Sequence, residues 1–383
     1  MKFVLFYHSL ISDWNHGNAH FLRGIATELL QRGHCVEVYE PTDGWSLRNL
    51  RAEQLPNSLM GFFEAYPQLL SRFYNINDID IGAVLANADV VIVHEWNDPA
   101  LVRQIGRHRA RSTHYRLLFH DTHHRAVTDP KSIARYDLEH FDGVLAFGNV
   151  LRDIYLDRGW TSRAWTWHEA ADTRVFRPMM REPEEGDVVW IGNWGDDERT
   201  RELKEFLLDP VHALKLRARI YGVRYPAPAL GALSKAGIEY GGWLPNYEVP
   251  RMFARFKVTV HVPRRPYCEA LPGIPTIRPF EALACGIPLV SAPWDDVEGL
   301  FTPGRDFLVA RTRHEMKEAI GAILHDRKFA RTLANQGRAT ILGRHTCAHR
   351  IDELLDICRE LRLSRPMEHK PRKAPAFMEE RSL

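Results

Sequence analysis

Short apolar runs alternate along this chain with stretches in which apolar residues recur every three or four positions. Residues 2–7 (KFVLFY) read as a buried strand. Phe21, Ile25, Leu29 and Leu30 then share one face of a helix, Gly33 ends it, and residues 35–39 form the next strand, completing one βαβ unit. Further strand-like runs at 88–94, 115–120, 143–147 and 163–167, separated by helical stretches, predict a six-stranded sheet with crossover helices. A second series follows at 188–191, 218–221, 238–240, 258–262, 287–291 and 307–309. The pattern predicts an α/β protein with two doubly wound, Rossmann-like parallel-sheet domains.

Between the two series lies 173–187 (TRVFRPMMREPEEGD), whose two prolines and charge cluster have the composition of a linker. We therefore expect one domain over 1–178 and a second over 184–345. Within 346–363, Ile351, Leu354, Leu355, Cys358 and Leu361 form an apolar stripe, expected to cross back and pack on the first domain. The tail, 364–383, is polar, basic and Pro-containing and is expected to be flexible.

Composition narrows the function classes. The 51 Lys+Arg against 49 Asp+Glu lack the basic excess of a dedicated nucleic-acid binder, so no nucleic-acid partner is expected. No apolar stretch approaches the roughly 20 residues of a membrane span. The first ten residues are too short an apolar run for a signal peptide. Five cysteines, odd in number and never in a CxxC pair, support neither a disulfide framework nor a zinc ribbon, and a cytoplasmic setting is expected.

Two such sheets with their strand carboxyl ends facing each other enclose a cleft, where ligands of this architecture bind. Four segments could supply its chemistry. In SDWNHGNAH, Gly17 and Asn18 stand before a helix whose free N–H groups suit a diphosphate, and equally form a simple turn and cap; this is no GxGxxG, so NAD is not indicated. Glu95, Trp96 and Asn97 follow a strand with a ring and polar groups, the composition of a carbohydrate site, or else a capped helix start. His120, Asp121, His123 and His124 in LLFHDTHHR follow another strand. HxxHH is not a zinc spacing, so capping or sugar-contacting histidines are expected and no metal. The most informative stretch is 263–294, PRRPYCEALPGIPTIRPFEALACGIPLVSAPW. Arg264, Arg265 and Tyr267 follow a strand, Gly273, Ile274 and Thr276 form a loop before a helix, and Glu281 sits in that helix. Arginines and loop amides clamping phosphates, with Glu281 on ribose hydroxyls, make a nucleotide-diphosphate site; a surface arginine pair beside a capped helix has the same spacing.

Residues 280–290, FEALACGIPLV, resemble the FEAMACGxPVV segment of the large retaining glycosyltransferase family of GT-B fold. The likeness continues through GNAH at 17–20, QRGHCV at 31–36, VLAFGNVLRDIYLDRG at 144–159 and WHEAADTRVFRP at 167–178. The wording PTIRPFEALACG is closest to the CgeB-like, spore-maturation type. One departure stands out: the family's EX7E motif has Glu eight positions before the ribose-binding Glu281, and this chain has Gly273 there. The resemblance implies a metal-independent, hexosyltransferase-like, retaining enzyme. It would move a sugar from a nucleoside-diphosphate donor to an unidentified glycan, lipid, protein or small-molecule acceptor, with no other cofactor. It also implies that His120 contacts the transferred sugar and that Asn193 and Arg199 lie where phosphate-binding residues are kept. Glu95, Trp96, Asn97 and His123 are the candidate acceptor contacts, and Asp13 the candidate base should the enzyme invert. A nucleotide-sugar 2-epimerase and a nucleotide-binding protein without turnover are the alternatives on the same fold.

Overall fold

The computed structural model describes residues 1–14, 17–52, 56–180 and 182–363; the tail 364–383 lies outside the described residues. The first sheet holds β1 (Lys2–Phe6), β2 (Cys35–Pro41), β3 (Ser71–Tyr74), β4 (Val90–His94), β5 (Arg116–Asp121), β6 (Gly143–Ala146) and β7 (Ala164–Thr166). All seven are parallel, in the order β3-β2-β1-β4-β5-β6-β7. The second holds β8 (Gly186–Ile191), β9 (Ala218–Tyr221), β10 (Ile238–Tyr240), β11 (Phe256–His261), β12 (Leu289–Ser291) and β13 (Leu308–Val309), also parallel, in the order β10-β9-β8-β11-β12-β13. These are the two doubly wound domains that the alternating pattern implies.

The first sheet has seven strands, one more than the hydrophobic pattern suggests. The addition is β3, an edge strand of four residues, SRFY, with only its last residue buried. With two charged or exposed residues before its single buried one, this edge strand presents no apolar run to read.

Central strands are buried on both faces, which is why β1 and β4 read as continuous apolar runs. The helix Asn18–Gln31 lays Phe21, Leu22, Ile25, Ala26 and Leu29 on the first sheet. The last helix, Cys347–Leu363, lies against that helix: Arg32 reaches Asp352 at 2.6 Å, and the Trp167 indole N–H donates to the Arg350 carbonyl at 2.8 Å. Ile351 and Leu354 are fully buried in a core that also contains Phe21, Trp167, Phe280 and Leu283, so one apolar mass runs under both domains.

Each sheet reverses strand order at one place: between β1 and β4 in the first domain and between β8 and β11 in the second. Loops leaving the carboxyl ends on either side of a switch point diverge to opposite faces and open a crevice. Both crevices belong to the same cleft.

Candidate active site

The cleft encloses a cavity of about 630 Å³. Its lining follows the strand ends: His8 after β1, Trp45 after β2, Trp96 after β4, His123 and His124 after β5, and from the other domain Asn193 after β8 and Arg264 after β11. Gly17 and Asn18, at the start of the first helix, face Thr276 and Ile277 at the start of the helix Ile277–Cys285. The approach is close, since a Cβ on Gly17 would lie 2.7 Å from Ile277 Cγ2. A second cavity of about 80 Å³ adjoins the first, sharing Gly17, Asn193 and Arg278 and adding Asp13, Trp243 and Asn246.

Charge on the second-domain wall is unevenly compensated. Arg264 donates to Glu198 at 2.7 Å, and Glu198 also lies 3.6 Å from His124 Nε2. Arg278 pairs with Glu281. Arg199 has only carbonyl acceptors: Val262 at 3.1 Å, Trp194 at 3.4 Å, and Asn193. Its guanidinium lies over the Trp190 ring at 5.1 Å, and no carboxylate forms an ion pair with it among the described residues. Burial, with Arg264 nearby, pushes the Arg199 pKa down to about 9. A half-buried cation without an ion-pair partner is free to take an anion, and one in the cavity would supply the counter-charge.

Several expected contacts are placed elsewhere. His120 is inside β5, next to its last residue, and its side chain points to the sheet face covered by Phe21 and Trp167. Its Nδ1 is 2.7 Å from the Tyr7 hydroxyl, burial pushes its pKa down to about 3, and it does not line the cavity. The alternation of a strand explains this: Thr122 to His124, past the end of β5, reach the cavity, while His120 belongs to the core. Glu281 is fully buried. One of its oxygens accepts from Asn246 Nδ2 at 2.7 Å and lies 3.1 Å from His20 Nδ1, while the other takes Arg278. His20 Nε2 accepts the Asp172 amide at 2.8 Å, which makes Nδ1 the protonated nitrogen facing Glu281. Against the upward push of burial, Arg278, His20 and Asn246 hold the Glu281 carboxyl below its ordinary range. It ties the two domains together and does not line the cavity.

Asp13 likewise binds Arg23 at 2.9 Å and the Asn246 backbone N–H at 2.8 Å, across the domain junction. It lines only the smaller cavity, engaged as a clamp and not exposed as a base. Arg265 points away to Glu202 and the Asp197 carbonyl. Ile274 is core, packed over Gly148. Gly273 lies behind the wall with φ +86°, and a Cβ there would fall 2.5 Å from Val297 Cγ2, so the backbone has no room for a glutamate. Glu95 is buried against Arg125, and Asn97 bonds the Phe6 and His94 carbonyls at 2.8 and 2.9 Å. Asp98 caps the following helix through Ala100 N at 2.7 Å, the simpler of the two readings of this segment. Only Trp96 of the three candidates there reaches the cavity, with Arg125 stacked 4.1 Å from its ring and His123 edge-on at 5.1 Å.

Gly17, Asn18, Trp96, His123, Asn193, Arg199, Arg264, Tyr267 and Thr276 do line the cavity. So do His8, Trp45, Glu169, Arg278 and His261, which the sequence patterns did not single out. The signal for His8 and Trp45 was available: each lies within a few residues of the carboxyl end of a strand that the apolar pattern shows. Arg278 lies within PTIRPFEALACG but reads there as a helix residue. Among the described residues no three His, Cys, Asp or Glu side chains are grouped so as to hold a metal ion, and no helix is long and apolar enough to cross a membrane.

Comparison with known proteins bears on this arrangement. A family model described as glycosyl transferase-like matches residues 199–356. No curated protein matches the chain in sequence. Solved structures similar over nearly the whole chain include a sucrose-phosphate synthase from Thermosynechococcus elongatus, with a TM-score of 0.63 at 14% identity, covering 94% of this chain and 99% of that one. The Anabaena protein HepE in complex with UDP and glucose gives a TM-score of 0.62 at 14% identity, covering 94% and 100%. An alpha-glucosyltransferase in complex with UDP and a 13-mer DNA gives 0.67 at 11% identity, covering 94% and 99%. The fold is GT-B. That last GT-B structure holds DNA, so the balanced charge of the present chain does not by itself dispose of a nucleic-acid partner.

In GT-B terms the cavity is the interdomain cleft. Its second-domain wall carries four arginines, Arg199, Arg224, Arg264 and Arg278, and its first-domain wall carries the rings His8, Trp45, Trp96 and His123.

Proposed function

We propose that this protein is a glycosyltransferase that takes a sugar from a nucleoside-diphosphate donor held on the second domain and passes it to an acceptor held against the first. The observation that carries the reading is Arg199: a half-buried guanidinium, bonded to carbonyls and to no carboxylate among the described residues, lining a cavity between two sheet ends. A diphosphate is the anion this architecture suits, and Arg199, Arg264 and Arg278 would meet the charge that builds on it as the sugar departs. The glycosyl transferase-like match over 199–356 covers that wall, and the neighbours solved with UDP make uridine the first base to try. The wording of 263–294 supports the CgeB-like type. With the leaving group served by arginines we infer transfer without a metal, and activity after exhaustive EDTA treatment tests this.

Screening UDP-, GDP-, ADP- and dTDP-sugars for thermal stabilisation tests the donor. A true donor at a hundred times its Kd adds about 2.7 kcal/mol. Stabilisation by none of them would overturn the reading. Release of nucleoside diphosphate in the presence of acceptor supports transfer, whereas interconversion of two sugar nucleotides would point to an epimerase.

A further inference from the structure

One carboxyl in the cleft has no structural employment. Glu169 lies past β7, on the segment that leads from the first sheet to the second, is 3% exposed and lines the cavity. Its Oε1 is sealed from solvent without a hydrogen-bond partner, and no hydrogen bond reaches Oε2 among the described residues. The groups around it are Arg278 and Glu281 from the helix Ile277–Cys285, Tyr267 from the helix Arg265–Glu269, and Arg350 from the last helix. Arg350 Nε reaches the Glu169 backbone carbonyl at 3.5 Å, and none of these groups takes the carboxyl. A buried polar group that holds nothing in the fold costs stability and calls for a ligand. Position 273 cannot supply a carboxyl to the cleft, because its glycine has φ +86° and abuts Val297. Glu169, from the opposite side of the junction, does.

We propose that Glu169, in its protonated form, donates a hydrogen bond to the diphosphate of the bound sugar nucleotide. The proposal rests on the donor-site reading above. An ionised carboxylate here would repel the diphosphate, whereas the neutral acid offers an O–H. Burial first, then the charge of Glu281, pushes its pKa up to about 8 against the pull of Arg278, so the acid is protonated at neutral pH. When the bond from the anomeric carbon to the phosphate oxygen breaks, that oxygen keeps the electron pair. The Glu169 O–H strengthens its bond to the growing negative charge, and the proton stays on Glu169. A sugar nucleotide's diphosphate has no further ionisation near pH 8, so the pH dependence belongs to the protein.

The test is calorimetric titration, at pH 7, 8 and 9, of whichever sugar nucleotide stabilises the protein in the panel, into wild type and Glu169→Gln. In wild type the Kd should rise toward tenfold between pH 8 and 9, and binding at pH 8.5, compared in two buffers of different ionisation enthalpy, should take up a large fraction of one proton. Glu169→Gln keeps an N–H donor and cannot ionise, so its Kd should rise much less than that of wild type and take up much less than half a proton at pH 8.5, leaving only what Arg199 contributes as pH nears its pKa of about 9. A flat wild-type profile without proton uptake overturns the proposal without needing the variant to fold, and so does a Glu169→Gln profile with the wild-type slope. Either result leaves the donor-site reading standing. Failure of every sugar nucleotide to bind overturns both.

Discussion

The wall that the first domain gives the cleft presents rings on loops from four different strands, His8, Trp45, Trp96 and His123, whereas the second domain's wall adds the arginines Arg199, Arg224, Arg264 and Arg278 to its rings Trp190, His261 and Tyr267. The arginines themselves differ. Arg264 and Arg278 are matched by Glu198 and Glu281, and Arg199 is matched by carbonyls alone. Flat rings with polar edges suit a neutral, hydroxyl-rich partner held by shape and stacking, and an unmatched half-buried cation suits an anion held by charge. The cleft is therefore polarised, and the two walls should answer differently to the same perturbation.

Acid should produce the largest effect, since neutral histidines lie behind both walls. His120 under the ring wall, His261 in the arginine wall and His345 near the last helix are each pushed down to about 3, first by burial. Unfolded histidine titrates near 6.5, so the unfolded state binds these protons first. The stability is fully present above about pH 6.5 and is lost as pH falls toward 3, at roughly 1.4 kcal/mol per group per pH unit. Thermal melts from pH 7 to 5 should show a steep fall; level melting temperatures would contradict the burial of these rings.

Next in size is the tie beneath the walls. Glu281→Ala leaves the half-buried Arg278 without its carboxylate and strips the buried His20 and Asn246 of their acceptor, and should cost about 3–5 kcal/mol in urea denaturation. A cost below 1 kcal/mol would mean that the junction is held by its apolar core alone. The smallest effect should come from the ring wall. Trp96→Ala loses the stacked Arg125, about 0.5–1 kcal/mol of stability, and should raise the KM for acceptor while changing sugar-nucleotide Kd by less than about twofold. An equal loss of sugar-nucleotide affinity would erase the distinction between the walls.

That polarity also governs what could be read from the chain. The second-domain wall was legible, because Arg264, Tyr267 and Thr276 lie close together in sequence between a strand end and a helix start, while Arg199 was reached through the family resemblance. The strands were legible because burial on both faces makes apolar runs, and β3 escaped because only one of its four residues, SRFY, is buried. The first-domain wall was half legible. Trp96 and His123 follow recognisable strands, but His120 was displaced by one strand period: a residue inside a strand alternates between faces, and only residues past its end turn into the crevice. Glu281 and Asp13 were read as ligand groups because isolated carboxylates look alike in sequence. Their partners Arg23, His20 and Asn246 come from up to 261 positions away, between His20 and Glu281, and only the fold brings them together. Glu169 had no signal at all, since its significance is the absence of a partner.

The most direct test of a charged wall facing a ring wall is the affinity of Arg199→Gln for the sugar nucleotide that stabilises wild type, measured by calorimetry at pH 7. Removing this cation, which is bonded to carbonyls and forms no ion pair among the described residues, should cost about 1.5–3 kcal/mol, a loss of roughly ten- to a hundredfold in affinity. An unchanged Kd in a folded Arg199→Gln protein would contradict the account, because the cleft would then bind its nucleotide without the charge on which the reading depends.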